Sequence, residues 1–252
     1  MEPKREKTQS KGGRLYIVST PIGNLADITL RAIDTLKQVD IIASEDTRRA
    51  KILLNQFKIK KPTLSYHEHN EEEASKKIIA LLEQGKDVAL ISDAGTPLID
   101  DPGYTLVKNA VEKNIEIIPV PGPSALLSAL VASGLPCDRI LYTGFLPRKK
   151  GRKSRLWELR EMAQASGNLT LVFYEAPHRI AKLINELIYF FGPQLPAVLA
   201  REITKAHQQF LRGNLQELKE TLTTHPEQVR GEMVLVLFVS RKATLPDLKR
   251  PK

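Results

Sequence analysis

The chain has 252 residues, room for one large domain or two of about 100 to 150 residues each, and 42% hydrophobic content suffices for a packed core. Its 38 Lys and Arg against 29 Asp and Glu leave a net charge of +9, which favours polyanionic partners, nucleic acid ahead of acidic membranes. The single cysteine, Cys137, excludes an internal disulfide and a thiolate zinc cluster, and no apolar run reaches the ~18 residues of a membrane span, so a cytoplasmic, non-membrane protein is expected.

Residues 1–13 are polar and basic and read as a flexible tail, without the apolar stretch of a secretory signal. The first domain is expected over residues 14–133. It opens with a strand at 15–19 and a helix in which Leu30, Ile33, Leu36 and Val39 keep helical spacing behind an N-cap at Asp27. Strands follow at 41–43 and 63–66, each with a helix after it. Residues 87–91 and 115–120 read as buried parallel strands, and both run into loops rich in glycine and proline, at 92–103 and 120–125.

Ligands in open α/β sheets bind outside the carboxyl ends of such strands. Asp93, Ala94, Gly95, Thr96 and Pro97 in the first loop, and Gly122, Pro123, Ser124 and Ala125 in the second, are therefore candidate ligand-binding residues. Glycine permits close backbone approach and proline holds one rigid shape. Ser124 also stands where it would cap the helix running to Val131.

The second domain is expected over 134–240, after the punctuation of Gly134 and Pro136. Strands are expected at 139–143, 169–174, 197–200, 208–212 and 233–239, with helices such as 155–165 and 176–190 between them. Residues 241–252 read as a second flexible basic tail. The whole is two α/β domains, the first with a mostly parallel sheet and the second mixed.

Several runs carry a resemblance to a known family. They are Thr20-Pro21-Ile22-Gly23-Asn24 within 16–29, Glu45-Asp46-Thr47-Arg48, Tyr66-His67-Glu68-His69-Asn70-Glu71, the loop at 92–103, Phe173-Tyr174-Glu175-Ala176-Pro177-His178-Arg179 and Arg201-Glu202-Ile203-Thr204-Lys205. Over residues 13–240 the chain resembles the ribosomal RNA small-subunit methyltransferase I family of the tetrapyrrole-methylase superfamily. The resemblance implies a class III S-adenosylmethionine methyltransferase fold, a homodimer, and 2'-O-methylation of a cytidine ribose in the decoding region of 16S RNA, free or in the small ribosomal subunit. The first loop departs from the Gly-x-Gly-Pro-Gly-Asp of porphyrinoid methylases, which points to the RNA branch. Ala176 replaces a common serine, and Gln208-Gln209 replaces common acids.

The residues suggest roles within that chemistry. Asp93, Asp100 and Asp101 can oppose a positive sulfonium or simply shape turns and caps, and the resemblance favours the ligand role for Asp93 and Asp100. Tyr174 joins the donor-binding set through its motif. Asp100, Glu175 and Lys205 are candidate bases for the ribose hydroxyl; Lys205 would need a lowered pKa, and its alternative is an ion pair with Glu202. Arg148, Lys149, Arg152 and Lys153 lie in the acid-free run 148–155 and are candidate phosphate contacts, the alternative being a solvated surface. Asn24, Arg48, Arg49, His67 and Arg179 complete the candidate substrate contacts. His67-Glu68-His69 lacks the spacing of a helical zinc site, so no metal is expected. The competing readings are a methylase of the same fold acting on a porphyrinoid or other small molecule, and a non-catalytic ribosome assembly factor.

Overall fold

The structure, a computed structural model, describes residues 12–250. The basic segment 1–11 and the last two residues lie outside the described part. Two compact units divide between Ser124 and Ala125.

In the first unit, strands β1 (Leu15–Val18), β2 (Ile41–Ser44), β3 (Thr63–Ser65), β4 (Val88–Ile91) and β5 (Ile117–Val120) form a five-stranded sheet in the order β3-β2-β4-β1-β5. Every pairing is parallel. Helices α1 (Leu30–Gln38), α2 (Thr47–Gln56), α3 (Glu71–Glu83) and α4 (Tyr104–Glu112) cross between the strands. Both faces are covered, which is why β4 is a continuous apolar run buried at every position. Val18, Ile42, Ala89 and Ile91 pack with Leu36, Ala50 and Leu54 on one face. Leu15, Ala43, Val88 and Leu90 pack with Ile78, Leu82 and Leu106 on the other. The cap of α1 is Thr29, whose hydroxyl accepts the Ala32 N–H at 3.1 Å, while the expected cap, Asp27, ends a 3-10 turn over Leu25–Asp27.

The second unit holds α5 (Ala125–Val131), β6 (Ile140–Phe145), α6 (Arg152–Ser166), β7 (Leu169–Glu175), α7 (Pro177–Phe191), β8 (Pro196–Arg201), β9 (Gln209–Asn214), α8 (Leu215–Thr224) and β10 (Met233–Val239). Its sheet order is β6-β7-β10-β8-β9. Only β6 and β7 are parallel, so the sheet is mixed. Phe173, Leu235 and Leu237 meet Leu156, Leu159, Leu183, Leu187 and Phe191 in one core.

Three boundaries differ from those read in the sequence. Helix α5 goes with the second unit because it packs on β10, and Arg212 donates to the carbonyls of Ala132 at 2.7 Å and Ser133 at 3.3 Å just beyond its end. Gly13 is not part of a loose tail: its N–H donates to the Leu82 carbonyl at 2.7 Å, and a Cβ there would fall on the Lys86 backbone. The C-terminal segment is also anchored, with Ala243, Leu245 and Leu248 against the second core and the Pro246 carbonyl accepting from Arg160 Nη2 at 2.5 Å.

Candidate functional site

At the carboxyl edge of the parallel sheet, the segments leaving β1, β4 and β5 are sewn together by short polar contacts. Thr20 and Gly95 exchange backbone hydrogen bonds at 2.8 and 3.0 Å, an antiparallel bridge outside the sheet. The Ser19 N–H donates to Val120 at 3.2 Å, and the Ser19 hydroxyl lies 3.0 Å from that of Thr96. Thr96 in turn donates to the Pro123 carbonyl at 3.3 Å. The candidate residues Gly95, Thr96 and Pro123 are thus brought together, with Asp93, Ala94 and Pro97 on the same loop and Gly122, Ser124 and Ala125 on its neighbour. A Cβ at 122 would lie 3.0 Å from the Ser19 Cβ, so any larger residue there would press on the segment leaving β1.

The loop after β4 also carries backbone strain. Leu98 and Asp100 sit in the left-handed region at φ 72° and 60°. Side chains disfavour that conformation, and it persists where surrounding contacts over-determine it, often at functional sites. The following helix starts at Gly103, whose N–H donates to Glu71 Oε1 at 2.8 Å. The same carboxylate accepts from the buried Tyr66 hydroxyl at 3.0 Å, and burial pushes that phenol up to about 12.

Acidic groups concentrate beside these loops. Asp93 accepts the Asp46 N–H at 3.1 Å and pairs with Arg49 at 3.3 Å. Burial, and then the charges of Asp93 and Glu68, raise the Glu45 carboxyl above its ordinary value. For Asp101, burial and then the Glu45 charge push the carboxyl up to about 7, with Asp93 and Asp100 adding to the effect and a Ser92 hydrogen bond opposing it. The sequence gives Asp101 no more than a share in the acidic field or a turn, and it gives Glu45 no role. The adjacency of Asp100 and Asp101 is visible there, but only the fold brings Glu45, from the end of β2, beside them.

Of the other candidates in this unit, Asn24, Arg48 and Arg49 are exposed and His67 is half-buried. Arg48 and Arg49 are exposed on the first turn of α2, which Asp46 caps through the Arg48 N–H at 2.8 Å. Asn24 caps its own 3-10 turn by accepting from Ala26 N at 3.0 Å. The His67 backbone N–H donates to Asn70 at 2.9 Å, its Nδ1 is buried without a partner, and its ring meets His69 edge-on at 5.9 Å. Among the described residues no group of acids, histidines or cysteines is arranged to hold a metal ion.

In the second unit the structure corrects three assignments. Arg152 is not a surface phosphate contact: it is 3% exposed, and its guanidinium binds Glu175 at 3.3 Å, Glu186 at 2.7 Å and the Pro147 carbonyl at 3.2 Å. Its inward position follows the stripe Arg152, Leu156, Leu159 and Ala163 on α6, a spacing present in the sequence. Glu175 is not a free base. Its carboxylate also pairs with Arg179 at 2.5 Å and accepts the Ala176 N–H at 3.0 Å, leaving it buried and fully engaged. Lys205 does not have the lowered pKa a base needs. Burial draws it down, but hydrogen bonds to Glu202 and Glu232, at 2.9 and 3.1 Å, outweigh that and hold it above its ordinary value. Tyr174 spends its hydroxyl accepting the Leu126 N–H at 3.0 Å, capping α5. Arg148, Lys149 and Lys153 are exposed, which suits either a phosphate contact or a solvated surface.

Residues 14–219 match the family described as Tetrapyrrole (Corrin/Porphyrin) Methylases. The chain is 46% identical over 240 residues to a ribosomal RNA small subunit methyltransferase I of Micromonospora olivasterospora, an alignment covering 95% of this chain and 74% of that protein. The protein of the same name from Thermotoga maritima is 45% identical over 227 residues, covering 89% and 98%. Among solved structures, uroporphyrin-III C-methyl transferase from Thermus thermophilus, complexed with S-adenosyl homocysteine, superimposes with a TM-score of 0.61 at 19% identity, over 89% of this chain and 97% of that one. That likeness concerns the fold.

Proposed function

The chain belongs to the ribosomal RNA small-subunit methyltransferase I branch of the tetrapyrrole methylases, and on that footing we propose that it methylates the ribose 2'-hydroxyl of a cytidine in the decoding region of 16S RNA. The single observation that carries this reading is the strained, cross-stitched loop pair at the carboxyl edge of the parallel sheet, with ionisable acids beside it. S-adenosylmethionine supplies an electrophilic methyl on a positively charged sulfur. The residues present fit it. Residues 93–97 and 122–125 offer backbone groups in a rigid frame for a nucleoside, and Asp93, Asp100 and Asp101 oppose a cation.

Holding the acceptor and the donor in line accounts for much of such a reaction, and the rigid loop pair is suited to positioning. As the ribose oxygen gains a methyl it loses its proton, and a carboxylate with a pKa near the working pH accepts it best. With Glu175 and Lys205 committed elsewhere, Asp101, whose carboxyl is pushed up to about 7, is suited to that task, and Asp100 is the candidate placed by its position in the strained loop. The exposed Arg148, Lys149 and Lys153, together with Arg48 and Arg49, serve as phosphate contacts, in keeping with the net charge of +9. A homodimer in the cytoplasm completes the reading, and sedimentation of the purified chain tests the dimer.

Methyl transfer from labelled donor to assembled small subunits, free 16S RNA and a porphyrinoid tests the function. Label mapping to one cytidine 2'-oxygen is the expected outcome. Label in the porphyrinoid but not RNA, or donor binding with no transfer to any acceptor, overturns it.

A further inference from the structure

Phe145, the last residue of β6, is 50% exposed although the residue after it, Leu146, is buried in the core. Its outward position is built by the backbone. The register between β6 and β7 shifts between Tyr142 and Gly144, and Gly144 takes φ 62°. A bulge of this kind re-aims the next side chain. The ring is then supported from its own unit: Tyr174 packs edge-on at 5.7 Å, and Tyr142 packs edge-on against Tyr174 at 5.2 Å. The Arg179 guanidinium carbon lies 5.9 Å from the Phe145 centroid. That guanidinium is fixed by Glu175, and its Nε is a buried donor without a partner.

Directly after Phe145 the chain passes through Leu146 and Pro147 into Arg148, Lys149 and Lys150, all exposed. Arg152 holds the Pro147 carbonyl at 3.2 Å, so the cations start from an anchored point close to the ring. A half-exposed aromatic face beside several cations is the pairing that single-stranded nucleic acid uses, one surface for the base and the others for its phosphates. A duplex keeps its bases stacked on each other and offers no free face. A second copy of this chain would bring the same cations against themselves.

Resting on the reading of the chain as a ribosomal RNA methyltransferase, we propose that Phe145, flanked by Arg179 and followed by residues 148–150, is a stacking platform for one unpaired base of the RNA substrate.

The experiment uses the full chain and a short RNA with 2-aminopurine in an unpaired segment, against the same RNA closed by a complementary strand. The parent should quench the fluorophore in the open RNA and not in the closed one. Phe145→Leu should abolish the quench and weaken binding about tenfold, Phe145→Trp should restore both, and the salt dependence should stay as in the parent because the phosphate contacts remain. Equal quenching by the parent and Phe145→Leu overturns the platform, as does a Phe145→Leu protein whose only change is its oligomeric state. Methyl transfer to small subunits is measured in parallel with the parent. If the parent methylates RNA but Phe145→Leu quenches normally, the platform alone fails; if the parent stacks RNA but transfers no methyl, the functional reading fails and the platform stands.

Discussion

At Asp101 burial and neighbouring acids raise the carboxyl to about 7, whereas in an unfolded chain an aspartate titrates at about 3.9. The folded state therefore binds this proton more tightly. The stability that follows is full below about pH 4, falls as pH climbs, and is gone above about 7. Discounted for the water that still reaches the group, Asp101→Asn should gain about 1 to 2 kcal/mol on the parent between pH 5 and 8, read from melting temperatures of both proteins at the two values. The same titration bears on ligand charge. S-adenosylmethionine should bind the parent more tightly at pH 8 than at pH 6, neutral S-adenosylhomocysteine should not, and the Asn variant should lose the difference. Asp100 offers a cleaner test of proton transfer because asparagine tolerates its left-handed backbone. Asp100→Asn should lower the single-turnover rate at saturating donor by about a hundredfold with little change in stability, and a parental rate would free Asp100 of that role.

Among the elements, strand and helix alternation was legible in the sequence because burial dictates it: β10 is a continuous apolar run, and its observed bounds are those its composition suggests. The loops after β4 and β5 were legible too, since glycine and proline mark them. Side-chain partners were not. Nothing in the run 148–155 separates Arg152 from Lys153 chemically, yet one is buried in an ion-pair network and the other is in water, a difference set by α6 periodicity. Glu175 meets Arg152 from the end of β7, a pairing no local pattern announces. Removing that carboxylate leaves Arg152 short of a partner in a dry environment. Glu175→Gln should destabilise the protein by about 3 kcal/mol in denaturant unfolding, far more than a surface ion pair would. A loss below about 1 kcal/mol would show that Glu186 alone neutralises Arg152.

For the molecule as a whole, the excess of +9 predicts RNA binding that weakens steeply with salt. Replacing Arg148, Lys149 and Lys153 together with Gln should flatten that dependence by about 0.7 to 0.9 in slope for each phosphate no longer neutralised, with donor affinity unchanged. Arg152 is left in place because its substitution would test stability instead. The position of β10 has another consequence, for the order in which the protein is made. The first unit has its last strand in hand at Val120, whereas the second sheet receives its central strand last, since β10 fills the gap between β7 and β8. A nascent chain emerging from the ribosome can thus complete its first unit while β6 to β9 still wait as two unjoined fragments with exposed edges, open to chaperones and proteases. Chains arrested with residue 230 outside the exit tunnel should yield a protease-resistant first unit and a degraded second one. Chains arrested with residue 245 outside should protect both.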